Sequence, residues 1–226
     1  MIFTLLIISC GRNQKVYTEE ERDAVSDHIE KVFGKYNHVL RKIVSPDIRV
    51  DICVIEPTNQ RNYYTLVTLG MGAHKMNVPS EFDSLKIDRA ELLITLPPDW
   101  DLDNSDETYY WPIRWLKILA TLPIERDTWL GWGHSVANGE KGEPFAENTA
   151  LCGMIVTMPY FLEEKLASCE LPNKDTVRFY QIVPLYANEM QFKLEHGMET
   201  LEKYFFENFD IEMVVNINRK NMLDEE

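Results

Sequence analysis

His134, Asp127 and Cys152 are the residues that could be combined into a nucleophilic catalytic site. A cysteine nucleophile needs a base within hydrogen-bonding reach and an acid that orients that base. Cys152, however, lies in the middle of an apolar, strand-like run, where a thiol is normally inert packing. His134 follows a Trp-Gly pair in a predicted loop, and we favour a ring that caps a backbone carbonyl there. The sequence therefore predicts no catalytic residue.

Motifs for phosphate, cofactor and metal binding are absent from the sequence. There is no GxGxxG, P-loop, GxSxG or HExxH. Gly70-Met71-Gly72 resembles part of a phosphate loop, but no Lys-Ser/Thr pair follows in register, which favours a turn. The five histidines are scattered without ligand spacing, so only the fold could assemble a metal site. We expect no cofactor and no metal.

The composition is typical of a globular protein with an acidic surface. Of the 226 residues, 45% are hydrophobic, 11% are aromatic and 27% are charged. The net charge of −14 argues against nucleic acid as a partner, because phosphate binding needs clustered Lys and Arg. This charge is compatible with a basic protein partner and also aids solubility. Four widely spaced cysteines without a CxxC pair favour a reducing compartment, the cytoplasm.

The first residues allow a second localisation. Met1–Gly11 is apolar but too short to span a bilayer, so we expect no transmembrane segment. Its last residues, up to Cys10, resemble the lipobox of bacterial lipoproteins, in which the Cys is lipidated after cleavage. A complete signal peptide would require Lys or Arg before the apolar run, and none is present. Residues 1–16 are thus an extra segment, either a truncated signal that anchors the chain through Cys10, or an added strand or disordered start.

The tryptophans are concentrated in one part of the chain, since all five lie between Trp100 and Trp132. Trp111-Pro112 predicts the start of a helix, because Pro is favoured in the first helical turn, and Pro123 predicts its end. Only a narrow polar stripe runs along this helix, so it should be mostly buried. The loop Asp127–His134 follows, and its two glycines indicate unusual backbone dihedrals or a close approach by another group.

Hydrophobic periodicity predicts the other elements and the fold class. The predicted helices are Thr18–Tyr36, with a capping box of Thr18 and Glu21, Leu185–His196 and Glu199–Phe209. The predicted strands are Ile48–Ile55 (half-buried), Tyr63–Leu69 (its hairpin partner), Arg89–Leu96 (central), Leu151–Met158, Thr176–Val183 and, at an edge, Ile211–Ile217. An acidic loop is predicted at Asp99–Thr108. This order predicts an α+β fold, a single α/β sandwich domain with helices packed on a mixed β-sheet.

A series of segments between about Tyr17 and Asn221 resembles the Suppressor of Fused domain, particularly its bacterial form. The segments occur in the order of that family. They are VDICVIEPT, RNYYTLVTLGMG, MNVP, RAELLITLPPDW, WPIRWLKILATLP, DTWLGWGHSVANG, NTALCG, FYQIVPLYANEMQFKLEHG and NRKN. The chain departs from the family pattern DTWLGWGHSVANGEPF, the end of which is interrupted here as GEKGEPF. The resemblance assigns residues 17–221 to this domain and leaves residues 222–226 as a frayed acidic tail.

The resemblance implies a domain that binds other proteins and has no established catalysis. Animal members pair this domain with a second one and restrain transcription factors of the Hedgehog pathway. Bacterial members are similar to immunity proteins of polymorphic toxin systems. Our leading hypothesis is therefore a non-catalytic protein-binding module, an immunity-type protein that neutralises a cognate, basic toxin by direct binding. The alternatives are an enzyme or small-ligand binder that uses the Asp127–His134 loop, and a regulatory scaffold.

The candidate partner-binding residues all lie in that loop: Asp127, Trp129, Trp132 and His134. Large aromatic side chains are favoured interface anchors. If this loop binds a partner, Trp129 or Trp132 should be partly exposed. If both are fully buried, the stretch organises the fold and nothing more.

Overall fold

The computed structural model describes residues 14–44 and 46–224, which form four α-helices and eight strands. The helices are α1 (Glu19–Phe33), α2 (Glu107–Arg126), α3 (Ala187–His196) and α4 (Met198–Asn208). The strands are β1 (His38–Val44), β2 (Arg49–Ile55), β3 (Tyr64–Leu69), β4 (Ala90–Leu96), β5 (Ser135–Ala137), β6 (Gly153–Thr157), β7 (Ser168–Glu170) and β8 (Thr176–Leu185). Cys10 and the predicted lipobox lie outside the described residues.

The eight strands of these ranges form one mixed sheet in the order β1-β2-β3-β4-β8-β6-β5, and β7 pairs with β8. All neighbouring strands are antiparallel except β4 and β8, which are parallel. β7 and β6 follow one another along the edge of β8 that is opposite to β4. The predicted hairpin of β2 and β3 and the central position of β4 are confirmed. The α+β class, with helices packed on a mixed sheet, is confirmed as well.

Helices cover both faces of the sheet. Alternate residues of β8 show the arrangement, because Ile182 packs in the same apolar cluster as the side chains of α2. Phe179 points to the other face and packs against α1, and Val183 on that same face packs against α4. Strand side chains alternate between faces. α2 therefore lies on one face, while α1 and the α3–α4 pair share the other.

β2 is buried on both faces, so the prediction of a half-buried strand is wrong. Asp51 and Cys53, on the predicted wet face, are 4% and 0% exposed. They lie under α1, and Arg22 of that helix donates to Asp51 Oδ2 at 2.9 Å. Polar and apolar residues alternate along β2 because one face carries Asp51, which is paired with Arg22, and the Cys53 thiol. α1 covers both side chains.

α2 runs through both of the prolines that were predicted to bound it. It begins at Glu107, within the predicted acidic loop, because Asp106 caps it by accepting from the Thr108 N–H at 2.9 Å. Pro112 has no N–H to donate to the carbonyl of Thr108. Asn148 Nδ2 donates to that carbonyl instead, at 3.2 Å. The predicted helix start is therefore wrong, since a distant side chain replaces the hydrogen bond that Pro112 removes. The predicted end at Pro123 is wrong as well, because α2 continues to Arg126.

Ile211–Ile217 was predicted to be an edge strand and is irregular chain instead. Met213 adopts a φ of 46°, which breaks the extended geometry. The Glu212 carbonyl accepts from Thr95 Oγ1 at 2.7 Å and from Gln181 Nε2 at 2.8 Å. Apolar residues alternate here because Met213 packs in the cluster that includes α4, while Val215 packs in the cluster that includes α2. The alternation therefore does not reflect the two faces of a strand.

Glu91 lies fully buried in β4 and joins the N-terminal segment to the turn that follows β3. Its carboxyl oxygens accept from Tyr17 Oη at 2.8 Å, from Thr68 Oγ1 at 2.6 Å and from three successive backbone N–H groups at 2.9–3.2 Å, those of residues 70–72. Gly70 has a φ of 131°, and a Cβ there would lie 2.3 Å from the Arg49 carbonyl oxygen. The Gly-Met-Gly segment is the predicted turn, and its amides solvate a buried carboxylate.

A second buried carboxylate fixes the C-terminal segment. Glu189 of α3 is fully buried and forms a two-pronged ion pair with Arg219, whose side chain is 8% exposed. The guanidinium also donates to the Pro184 carbonyl at 3.0 Å and lies over the Tyr186 ring, 4.6 Å from its centroid. The Met222 N–H donates to Glu189 Oε1 at 2.9 Å. Residues 219–222 are thereby tied to the start of α3.

Replacing Arg219 by Ala should lower the free energy of unfolding by about 3–5 kcal/mol, because the Glu189 charge then stays buried without its partner. Urea denaturation of the purified protein measures this difference. Lys174→Ala is the control, since Lys174 pairs with Glu170 at the exposed surface and its loss should leave the denaturation midpoint almost unchanged. Equal denaturation midpoints for the two variants would contradict the role of Arg219 as the partner that stabilises the buried Glu189 charge.

Candidate partner-binding site

The Asp127–His134 loop is positioned by the C-terminal end of α2. Asp127 is the C-cap residue, with a left-handed φ of 48°, and it turns the chain away from the helix. The next carbonyl, of Thr128, accepts from the Asn77 N–H at 3.2 Å. Leu130 is 2% exposed and anchors the middle of the loop in the core. The loop is therefore held at both its start and its centre.

Trp129 and His134 pack against each other inside the loop. Their ring centroids are 4.2 Å apart in an edge-to-face arrangement, and Phe82 lies on Trp129 at 5.7 Å. Trp129 is only partly exposed. A Cβ at Gly131 would lie 3.1 Å from the Trp129 ring, so this glycine permits the close approach that its presence had indicated.

The His134 ring binds the backbone, as expected, but as an acceptor from an amide. The Gly131 N–H donates to Nδ1 at 3.1 Å, which requires that nitrogen to be unprotonated. Burial, and to a smaller degree the nearby Lys193, lowers the pKa of His134. At pH 7 the ring is therefore uncharged, and its hydrogen bond with Gly131 stabilises the loop.

Trp132 is the exposed aromatic residue of the loop. Its side chain is 39% exposed, while its Nε1–H donates to Glu202 Oε1 of α4 at 2.8 Å. Tyr160 Oη donates to the same oxygen, and burial raises the pKa of Glu202. Phe206, 53% exposed, packs edge-to-face on Tyr160 at 4.9 Å. We call Trp132, Tyr160, Glu202 and Phe206 the aromatic surface.

An open cavity of about 410 Å³ adjoins the aromatic surface. Its walls are largely apolar, with one carboxylate at the rim. They include Trp132, Met158, Pro159, Tyr160, Leu162 and Glu164. A concave, mainly apolar site with a few polar groups is the usual form of a binding pocket. The geometry can hold a side chain of another molecule against the Trp132 ring.

The fold does not assemble His134, Asp127 and Cys152 into a catalytic site. Within residues 14–44 and 46–224, no hydrogen bond or ion pair joins His134 to Asp127 or to Cys152. Burial raises the pKa of the Cys152 thiol, which disfavours the thiolate. The same residues contain no group of three or more His, Cys, Asp or Glu side chains that could hold a metal ion. None of their helices combines the length and apolar character that a bilayer crossing requires.

Three members of the aromatic surface, Tyr160, Glu202 and Phe206, were not among the candidates from the sequence. One signal was available, since Phe206 lies outside the apolar stripe of α4 that Leu201 and Phe205 form. A large aromatic side chain beside such a stripe indicates an exposed contact. The link from Trp132 to Glu202 joins residues that only the fold brings together.

Trp111→Ala should lower the free energy of unfolding by about 3–5 kcal/mol, because it leaves a cavity in the core. Trp111 is fully buried and stacks on Phe145 at 4.9 Å. Trp132→Ala should lower it by only about 1–2 kcal/mol, since that side chain is partly exposed and loses one hydrogen bond. Thermal and urea denaturation of both variants compares them, and a larger loss for Trp132 than for Trp111 would reverse their assignment to surface and core.

Acidification should open the loop through His134. The folded-state pKa lies below the unfolded value of about 6.5, so the folded state binds fewer protons. The stabilisation by neutral His134 is therefore complete above about pH 6.5 and is lost as the pH falls towards the folded pKa. An NMR titration of the His134 Cε1–H, assigned with His134→Gln, should have a midpoint below about 6.5. The Gly131 amide should shift with the same midpoint, and a midpoint at or above the unfolded value excludes this role.

Comparison with known proteins gives the family. The profile of the Suppressor of fused protein (SUFU) family matches residues 46–220. An uncharacterised protein of Ureaplasma parvum serovar 3 is 25% identical over 210 residues, which are 92% of this chain and 98% of that protein.

Solved structures share the fold. A putative SUFU homologue from Neisseria gonorrhoeae superposes with a TM-score of 0.65 at 19% identity, over 92% of this chain and 100% of that one. A chain of the Sufu–Fu complex gives 0.63 at 14% identity, over 90% and 92%. Drosophila Suppressor of Fused gives 0.59 at 14% identity, over 90% of this chain and 51% of that chain. With the profile match over most of its length, this chain belongs to the Suppressor of fused family.

Proposed function

We propose that this protein is a non-catalytic protein-binding module whose partner contacts the aromatic surface. The observation that carries the proposal is Trp132, a large side chain that is 39% exposed beside an open apolar cavity. Exposed aromatic anchors next to concave, desolvated sites dominate the energy of protein interfaces. A relative of the same fold is known in a Sufu–Fu complex, which supports protein binding as the general role.

The four loop residues have different parts in this proposal. Trp132 is the anchor that contacts the partner. Trp129 and His134 brace the loop from inside, because their rings pack on each other at 4.2 Å. Asp127 sets the direction of the loop as the C-cap of α2 and makes no direct contact. Binding should therefore depend most strongly on Trp132.

The partner that fits best is a basic toxin, which this protein would neutralise as an immunity protein. The net charge of −14 favours association with a basic protein through electrostatic steering. Such a complex would form in the cytoplasm, where the buried thiols of Cys53, Cys152 and Cys169 stay reduced. The test partner is the product of the adjacent gene, purified and mixed with this protein.

Trp132→Ala should weaken binding of that partner by about 30-fold or more, the loss that is typical of an interface hot spot. Tyr109→Ala is a matched control, because Tyr109 is similarly exposed, at 37%, but lies at the start of α2. Isothermal titration calorimetry measures both affinities, and co-expression measures rescue from toxicity. Unchanged binding by the Trp132 variant refutes the surface, and the absence of any complex or rescue refutes the immunity role.

A further inference from the structure

The cavity beside Trp132 is acidic at its rim and has no basic residue in its walls. Glu164 is exposed and lines the cavity. Within the described ranges its carboxylate makes no ion pair, since the adjacent Lys165 pairs with Glu163 Oε2 at 2.7 Å. A negative charge at the mouth of an apolar cavity is thus available to a cation from outside.

Glu202 fixes the aromatic wall of this cavity. The Trp132 Nε1–H and the Tyr160 hydroxyl both donate to Glu202 Oε1, so the polar edges of two rings converge on one oxygen. Both rings line the cavity. Their orientations are therefore set before any partner arrives, which reduces the entropy lost on binding.

We propose that the cavity receives an arginine side chain of the protein partner, with its guanidinium on the Trp132 ring and paired with Glu164. This inference rests on the proposed function and names the chemistry that the surface recognises. The methylene groups of the arginine pack on Met158 and Leu162. The planar guanidinium both stacks on an aromatic face and pairs with a carboxylate, which suits this combination of walls.

The charge of the whole protein agrees with this occupant. A side chain that enters an apolar cavity beside an unpaired carboxylate is favoured when it is positive, and the chain carries a net charge of −14. A neutral apolar side chain would fill the same walls but would leave Glu164 without a partner. Lysine would satisfy the charge but lacks the planar group that stacks on tryptophan.

The test uses N-acetyl-arginine amide as the probe, with the neutral isostere N-acetyl-citrulline amide and N-acetyl-lysine amide beside it. The NMR signal of the Trp132 indole N–H, assigned with Trp132→Phe, reports binding in the full-length protein. Arginine should shift this signal with a saturable, millimolar affinity, and citrulline and lysine should bind more weakly.

Two conservative variants isolate the charge. Glu164→Gln should weaken arginine binding by about threefold to fivefold, the effect of one exposed ion pair. Glu125→Gln is the matched control, because Glu125 is exposed, forms no ion pair within the described ranges and lies outside the cavity walls, so its loss should leave the affinity unchanged. Circular dichroism of both variants checks that the fold is intact.

Equal binding of arginine and citrulline, no binding of arginine, or equal effects of the two glutamate variants would overturn the inference. The proposed function survives those results if Trp132→Ala still weakens the protein complex. Conversely, arginine binding together with a complex that is insensitive to Trp132→Ala would support the cation site and refute its use in partner binding.

Discussion

Glu91 imposes a constraint on every element around it, because a carboxylate that is 0% exposed must find all its hydrogen bonds within the protein. Burial raises the pKa of the Glu91 carboxyl, and only close donors stabilise its charged form. Five donors from Tyr17, Thr68 and residues 70–72 supply them. β4, the end of β3 and the segment before α1 are therefore fixed relative to one another by one side chain.

Four of the segments that resemble the family surround the buried carboxylates of Glu91 and Glu189. RNYYTLVTLGMG supplies Thr68 and the amides of residues 70–72, and RAELLITLPPDW supplies Glu91 itself. At the other end of the chain, Glu189 lies in FYQIVPLYANEMQFKLEHG and its partner Arg219 lies in NRKN. These signatures maintain the fold. The aromatic surface combines one residue of these segments, Trp132, with three that lie outside them, Tyr160, Glu202 and Phe206.

Features encoded by neighbouring residues could be predicted, while those that depend on distant partners could not. The capping box of Thr18 and Glu21 is local, and both of its hydrogen bonds are present. The proline rules are also local, but Asn148 overrides them at α2 by capping the carbonyl that Pro112 leaves free. β5 and β7, of three residues each, are too short to give a periodic pattern. Trp132 was a candidate from its residue type, but its partner Glu202 could be found only in the fold.

The parallel pairing of β4 with β8 has a consequence for how the chain acquires its structure. β1 to β4 form a continuous antiparallel meander that can assemble early, since its pairings are between consecutive strands. The far edge of β4 meets its partner only when residues 178–181 are available. Until then the backbone edge of this strand is open to pairing with other chains. During synthesis on the ribosome, the interval between these two strands is therefore the period in which this protein is most prone to aggregate, and the slow closure of this long-range pair should limit its folding rate.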